Sequence, residues 1–446
     1  MGVRKVDPMM WGSSPHRETK GFLMFEQTTN ETIFTWAAPP LKFGVGALKE
    51  IGFEVAGLGA KSCLVITDIG VRNTGIPDQI EQTLVAAGIK TEVFDAVSVE
   101  PTDESINHAV AYAREHNWDC YIAVGGGSAI DTAKAVNLLT THPGELLDYV
   151  TAPIGGGKAP WLPLKPLIAV PTTSGTGSES TSICVIDFLG LHLKAGISHA
   201  KLRPTMAIVD PLTTVSLPRQ VTAASGMDVL SHALESYTSV SFDSKPAPED
   251  PTKRPAFCGA NPISDIWCEQ ALRLVGKYLR RAVMNGRDLE ARYQMSLAST
   301  SAGTGFGNAG THLPHANAYP IAGAVKNYQA EGYPEMPMVP HGQAVSATAA
   351  AVFRWTYAGD PVRHLRAAEL LSGQTFTATD GSDALAHVLT ELMTDIEMPA
   401  GLRSFGYGEE DLDTLVEGTM KQTRQLAVVP RPVSREALKA IFRESL

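Results

Sequence analysis

From residue 41 the chain alternates short apolar runs with longer stretches of helical period. Residues 62–67, 120–124, 166–170 and 206–209 are almost continuously apolar, and 91–95 is a further strand-like run. Runs this short with no polar alternation mark strands buried on both faces, as in a parallel sheet. Between them, residues 48–57, 78–87, 102–116 and 129–139 carry a helical pattern. The 102–116 helix has its own start signal in Pro101, Thr102 and Asp103, with Glu104 in its first turn. Residues 182–187 and 193–198 are a candidate hairpin. Strands alternating with helices of this length predict a doubly wound parallel sheet.

After Pro211 the pattern becomes helical throughout. Helices are expected at 218–239, 262–284, 289–305, around 311–324, and at 344–355, 361–371, 380–397, 409–423 and 434–442. Residues 240–261 interrupt them with Pro246, Pro248, Pro251 and Pro255. A connection of roughly 20 residues is usually functional or poorly ordered. The expected organisation is an N-terminal arm (1–40) with one strand at 32–37, an α/β domain (41–215) and an all-helical domain (216–446). There is no internal repeat and no low-complexity segment.

Composition narrows the function. With 446 residues the chain can bury several large cores. A net charge of −10 argues against a general nucleic-acid or anionic-membrane binder. No apolar run is long enough for a transmembrane helix. Cys63, Cys120, Cys184, Cys258 and Cys268 are scattered, without a C-x-x-C pair. That suits reduced thiols in a cytoplasm rather than a disulfide framework or a cysteine zinc site. Residues 1–20 carry Arg4, Lys5, Arg17 and Lys20 but no apolar core of a secretory signal, and Asp7 and Glu18 count against an organelle leader. A floppy or partner-bound arm is expected there.

Three features carry chemistry. Asp228 and His232 lie four apart, which on a helix stacks them on one face as half of a divalent-metal site. Gly125-Gly-Gly-Ser128 follows a strand and opens a helix, so its backbone N–H groups can meet a phosphate. A second loop, residues 172–178, also follows a strand and offers hydroxyls at Thr172, Thr173, Ser174 and Thr176. Two such loops at strand C-termini fit the crevice rule for ligands in open α/β sheets. Asp68 ends the first strand of the α/β unit and can cap a helix or take a nucleotide ribose. Asp131 and Lys134, three apart, read as a surface ion pair. Six histidines fall in the helical half: His232, His312, His315, His341, His364 and His387. An aspartate with imidazoles and no thiolate suits Fe2+, Zn2+, Mn2+ or Co2+. Spacing alone does not choose between His312 and His315.

These motifs together resemble the iron-containing (group III) alcohol dehydrogenases. They are Gly-Gly-Gly-Ser-x-x-Asp-x-Ala-Lys at 125–134, Pro-Thr-Thr-Ser-Gly-Thr-Gly-Ser-Glu at 171–179, Gly-x-Asp-x-x-x-His at 226–232 and Pro-His-Gly at 340–342. They occur in the family's order and span nearly the whole chain from residue 41. Segments 99–103, 147–155, 259–267 and 305–310 look like those of the branch that passes hydride between a hydroxyacid and an oxoacid. The resemblance implies a dehydroquinate synthase-like α/β dinucleotide-binding domain and an all-α metal-binding domain, with the nicotinamide cofactor and metal in the cleft between them. By motif position the metal ligands would be Asp228, His232, His315 and His341, and the metal Fe2+, with Zn2+ as alternative. Gly125, Gly126, Gly127 and Ser128 would hold the pyrophosphate of NAD (alternatively NADP), Thr172 and Thr173 the cofactor, and Asp68 the adenosine ribose. Asp131 and Lys194 fall at cofactor-side positions.

Two departures stand out. Tyr319 takes the place of a histidine that many members carry four residues after the third ligand, and a phenol titrates far higher than an imidazole. The interval from His315 to His341 is also longer than in short-chain members, with its extra residues within 325–338. The resemblance implies conversion of 4-hydroxybutyrate to succinic semialdehyde coupled to reduction of 2-oxoglutarate to 2-hydroxyglutarate. Anionic substrates call for a cation, and Arg254, Lys326 and Arg354 are candidates by region. The rivals are an alcohol dehydrogenase that exchanges free cofactor, a cyclising lyase of the dehydroquinate synthase type, and a non-enzymatic cofactor-binding or filament-forming protein. A homo-oligomer is expected, cytoplasmic, or mitochondrial if the source is eukaryotic.

Overall fold

The structure is a computed structural model and describes residues 30–191, 193–251 and 254–446. Six strands form one parallel sheet in the order β1-β8-β5-β4-β2-β3. They are β1 (Leu41–Phe43), β2 (Ser62–Ile66), β3 (Lys90–Phe94), β4 (Cys120–Gly125), β5 (Leu167–Pro171) and β8 (Met206–Val209). The antiparallel hairpin β6 (Ile183–Phe188) and β7 (Leu193–Ser198) stands apart from it. The continuous apolar runs follow from burial on both sides. Leu64 and Ile66 of β2, with Tyr121 and Ala123 of β4, face one core. Cys63 and Val65, with Cys120, Ile122 and Val124, face the other. A strand with cores on both faces has no solvent side to mark with polar residues.

The chain reverses across the sheet between β2 and β4: β3 lies on one side of β2, and β4 on the other. Such a switch point opens a crevice at the strands' C-terminal ends. The first glycine loop leaves β4 there, and Asp68 lies just past β2. Gly125 pairs with Pro171 of β5, and Thr172 N–H donates to Gly125 O at 2.9 Å, so the two loops leave the sheet side by side.

Most predicted helices lie within a few residues of their expected ends; Pro262–Met284 coincides. Two expectations need correction. Residues 344–355 are not one helix but two, His341–Ser346 and Ala349–Thr356, with buried Thr348 between them accepting a hydrogen bond from Asn317. Residues 32–37 are not a strand: Ala37 exchanges hydrogen bonds with the side-chain amide of Asn308, and Ile33 N–H donates to the Glu31 carboxylate. β-favouring residues need a neighbouring strand to pair with, and here a helix lies alongside instead. Residues 1–29 of the expected arm lie outside the described residues. Among the described residues, no helix is long and apolar enough to cross a membrane.

The second loop is gripped by two long helices. Ser174 meets Ser296, Glu179 accepts from Thr300, and Gly177 touches Gly303, all on one face of the helix Leu289–Ala309. Gly177 has φ 59, and a Cβ there would lie 2.5 Å from Gly303 Cα. A Cβ on Gly175 would lie 2.8 Å from Ser225 of the helix Arg219–Thr238. These glycines let backbone approach backbone, which brings the C-terminal edge of the parallel sheet against the helices.

Candidate metal centre and cofactor cleft

The helix Arg219–Thr238 is buried along most of its length and forms one wall of the cleft. Asp228 and His232 share its face, as their spacing predicts. His315 comes from the helix Leu313–Gly323, and His341 opens the helix His341–Ser346. The Nε2 atoms of His232, His315 and His341 lie 3.7, 3.6 and 3.7 Å from Asp228 Oδ1. The donor atoms of Asp228, His315 and His341 all fall within 4.8 Å of one another. A tetrahedral ion with bonds of about 2.1 Å places its ligands about 3.4 Å apart. The residues therefore fit a small divalent metal. Asp228 Oδ1 and His315 Nε2 are buried and make no hydrogen bond, an arrangement that a shared cation would relieve.

The protonation states suit ligation. Burial raises the Asp228 carboxyl, but His232, His341 and His315 outweigh it and hold the group well below its ordinary range. Burial drives His232 down to about 3 against the pull of Asp228. Burial also lowers His341. Burial opposes protonation of His315 as well, yet the Glu235 and Asp228 carboxylates push it up to about 9. An ionised aspartate and neutral imidazoles are the forms that bind metal; at His315 the metal competes with a proton.

Sequence reasoning passed over Glu235, although it lies seven residues after Asp228 on the same helix. Its fully buried carboxylate accepts from His315 Nδ1 at 2.6 Å and from the backbone N–H groups of His312 at 2.7 Å and His315 at 3.3 Å. A carboxylate on Nδ1 leaves Nε2 as the electron-pair donor and sets the ring's direction. The signal was an acid on a helix face with no solvent exposure, which becomes visible only once that face is known to be buried. Phe306 stacks on the His232 ring with centroids 3.9 Å apart and planes 6° apart, and so fixes the second imidazole.

Packing also separates His312 from His315. His312 Nδ1 accepts from Leu313 N–H, so Nε2 carries the proton and donates to Thr238 Oγ1 at 3.0 Å. That ring is used by the fold and points away from Asp228. His364 is likewise engaged, with Thr356 and Asp360, and His387 is exposed on another helix. Gly342 sets how closely the His341 helix approaches. A Cβ there would lie 1.9 Å from Ala224 O on the Arg219–Thr238 helix. Gly342→Ala is expected to destabilise the fold by about 3 kcal/mol and to weaken metal retention by moving His341 from Asp228. Denaturant unfolding and metal analysis check this; a wild-type midpoint would refute the close-contact role.

The two phosphate-type loops face each other across the cleft floor. A Cβ on Gly126 would meet Thr173 Cγ2 at 3.2 Å, and one on Gly127 would meet Thr176 Cγ2 at 2.7 Å. Gly125 has φ 154, and a Cβ there would meet Ala129. Gly126 caps the helix Gly127–Thr141, so free backbone N–H groups lie at this edge. Only glycines let the two loops approach this closely, and the free N–H groups at the helix start suit an anion such as a pyrophosphate. Ser128 Oγ is shared with Glu100 N–H. Asp68 Oδ1 caps the short helix Ile69–Arg72 through Val71 N–H, and Oδ2 lies 3.5 Å from where a Gly125 Cβ would be. Its capping role therefore coexists with a place beside the first loop.

Other candidates resolve differently. Asp131 lines the cleft but is tied to Ser178 Oγ at 2.5 Å and Val185 N–H at 2.9 Å. Lys134 does pair with it, Nζ lying 3.5 Å from Asp131 Oδ1, but in the interior rather than on the surface. Its buried ammonium donates to Ser178, Thr181 and Ile183 and anchors the end of the second loop. Lys194 lines the cleft and pairs with Glu100, which itself has φ 59. Tyr319 lines the cleft one turn after His315, and burial raises its phenol further. Arg254 is bound to Glu31, Lys326 to Asp411, and Arg354 to Asp383 and Glu444. None of these three lines the cleft. Within the extra segment, burial together with the Glu100 and Asp228 carboxylates raises the Tyr333 phenol.

With this geometry in place, comparisons with known proteins are direct. Residues 39–211 match the family model for iron-containing alcohol dehydrogenase, and residues 256–446 match the C-terminal model of the Fe-containing alcohol dehydrogenase family. The chain is 46% identical over 423 residues to a Bos taurus protein named hydroxyacid-oxoacid transhydrogenase, mitochondrial, covering 94% of this chain and 91% of the relative. Among solved structures it resembles a 1,3-propanediol oxidoreductase, with TM-score 0.81, 32% identity and coverage of 93% and 100%. It also resembles the sulfoacetaldehyde reductase from Bifidobacterium kashiwanohense solved with NAD+, with TM-score 0.77, 28% identity and coverage of 93% and 99%.

Proposed function

Because the chain belongs to the iron-containing alcohol dehydrogenase family, we propose that it is an oxidoreductase of the hydroxyacid-oxoacid transhydrogenase type. It would oxidise 4-hydroxybutyrate to succinic semialdehyde and return the hydride to 2-oxoglutarate, giving 2-hydroxyglutarate, without exchanging its cofactor. The observation that carries this reading is the meeting, in one cleft, of the Asp228–His232–His315–His341 donors and the paired glycine loops. An identity of 46% across 94% of the chain to a relative of that name favours it over a dehydrogenase that releases NADH at each turnover. The full donor set counts against the cyclising lyase and against a non-enzymatic role.

Asp228, His232, His315 and His341 would hold the metal, Fe2+ in preference to Zn2+. Gly125, Gly126, Gly127 and Ser128 would hold the pyrophosphate, Thr172 and Thr173 the cofactor beside it, and Asp68 the adenosine ribose. An acid at Asp68 favours NAD over NADP, whose 2′-phosphate it would repel. Asp131 and Lys194 would border the cofactor. When bound there, the metal would supply Lewis acidity for the substrate oxygen, and the nicotinamide would supply a hydride acceptor and donor. Glu235 keeps the His315 ring oriented throughout. Phe306 packs against His232 and helps keep water from that side. Tyr319 stays protonated at neutral pH, so it would donate a hydrogen bond to the substrate rather than relay protons as an imidazole does.

The test uses the purified protein with its bound cofactor. It is incubated with 4-hydroxybutyrate alone, with added NAD+, and with 2-oxoglutarate but no added NAD+. Succinic semialdehyde and 2-hydroxyglutarate are expected in equal amounts in the third mixture. Sustained NADH formation in the second would support the free-cofactor dehydrogenase instead. No turnover in any mixture would sink both readings.

A further inference from the structure

A hydroxyacid carries a carboxylate that the metal centre, which takes its hydroxyl oxygen, does not address. Among the described residues two cations line the cleft, Lys194 and Arg424. Lys194 is already paired with Glu100. Arg424 is on the short helix Thr423–Leu426, its guanidinium carbon 5.0 Å from the centroid of the Phe257 ring. No carboxylate pairs with it among the described residues, and its Nη1 is buried without a hydrogen-bond partner. A buried guanidinium nitrogen with no acceptor is costly unless an anion arrives to meet it. Tyr319 lies against the same group, and Gln425 bonds the Tyr319 hydroxyl at 3.4 Å.

We propose that Arg424 is the receptor for the distal carboxylate of the substrate, its guanidinium held by the ring of Phe257 and the phenol of Tyr319. This rests on the hydroxyacid reading above. The location suits the task. Tyr319 is one helical turn, about 5.4 Å, beyond His315, so a receptor beside it is separated from the centre by roughly the length of a short carbon chain. The chemistry suits it too, because the planar guanidinium fork binds a carboxylate with two parallel hydrogen bonds. The substrate would then be fixed at two points, its reacting oxygen near His315 and its carboxylate on Arg424. Arg424 is a specificity-determining residue in this scheme: it selects acids over neutral alcohols of equal length.

The test compares wild type, Arg424→Met and Arg424→Lys as holoenzymes, with melting temperatures to confirm folding. The first readout is calorimetric titration with butyrate, which has the carboxylate but no hydroxyl to react. Its Kd is expected to rise roughly 100-fold in R424M and about tenfold in R424K, which keeps the charge but loses the fork. The second is the ratio of kcat/KM for 4-hydroxybutyrate to that for 1-butanol, which is expected to fall roughly 100-fold in R424M. Should R424M not fold, the R424K values decide. Butyrate that fails to bind wild type, binds the variants as tightly as wild type, or leaves the ratio unchanged would overturn the assignment. If butyrate binding depends on Arg424 but no hydride passes from hydroxyacid to oxoacid, the receptor stands and the transhydrogenase reading fails. If that transfer occurs and the variants retain it in full, the reverse holds.

Discussion

Asp228→Ala is expected to purify as a folded protein that retains almost no metal and has lost at least about a thousandfold in kcat/KM, since the Lewis acid alone supplies several kcal/mol of transition-state stabilisation. Asp228 Oδ1 is the atom that all three imidazole Nε2 groups approach, at 3.6 to 3.7 Å. It is also the only anion in the set, so its removal leaves neutral donors and takes the balancing charge from a dication. The metal-free fold should not suffer comparably. The variant loses the attraction between Asp228 and the three histidines, which outweighs its burial, but it regains the desolvation energy of a buried charge, so the loss of stability should be smaller than the loss of function. Elemental analysis after dialysis, set beside the unfolding midpoint with and without added Fe2+, checks both halves. Wild-type metal content in the variant would refute the ligand assignment.

Glu235 is expected to matter nearly as much without touching the metal, and two substitutions separate its jobs. Glu235→Ala leaves the N–H groups of His312 and His315 buried without an acceptor and frees the His315 ring. A loss of about 3 kcal/mol in stability and a 10- to 100-fold loss of metal affinity should follow. Glu235→Gln keeps one oxygen for the two backbone donors, so the fold should stay close to wild type. Its amide nitrogen would then face His315 Nδ1 as a donor and force the proton onto Nε2, where the metal needs a lone pair. Metal affinity should therefore fall in Gln as it does in Ala while stability is kept. Equal stability loss in both variants, or undiminished metal affinity in Gln, would show that Glu235 is structural only.

Part of this site could be read in one dimension and part could not. Asp228 and His232 are one turn apart on a helix, so their convergence is a property of local geometry. The loops at 125–128 and 172–178 announce themselves because glycines after an apolar run have few other uses. His312 and His315 are equally well placed by spacing, and only contacts with Thr238 and Glu235 separate them. Glu235 looks like any helix acid until its face is known to be buried. Arg254, Lys326 and Arg354 were plausible anion receptors by region, yet each is satisfied by a carboxylate elsewhere. Arg424 has no motif at all; it matters because the fold brings a short helix near the C-terminus beside Tyr319 and leaves one guanidinium nitrogen, Nη1, without an acceptor among the described residues.

The sequence by itself determined the parallel sheet, the helical half, the two glycine loops and the Asp228–His232 pair, because periodicity and local spacing act over a few residues and need no partner. Tertiary structure alone decided that residues 32–37 are not a strand, that 341–356 breaks into two helices, which histidine faces Asp228, what orients it, and which described cation in the cleft has no carboxylate partner. Those outcomes depend on groups distant in the chain competing for the same buried hydrogen bonds and charges, and that competition is resolved only when packing sets who is near whom.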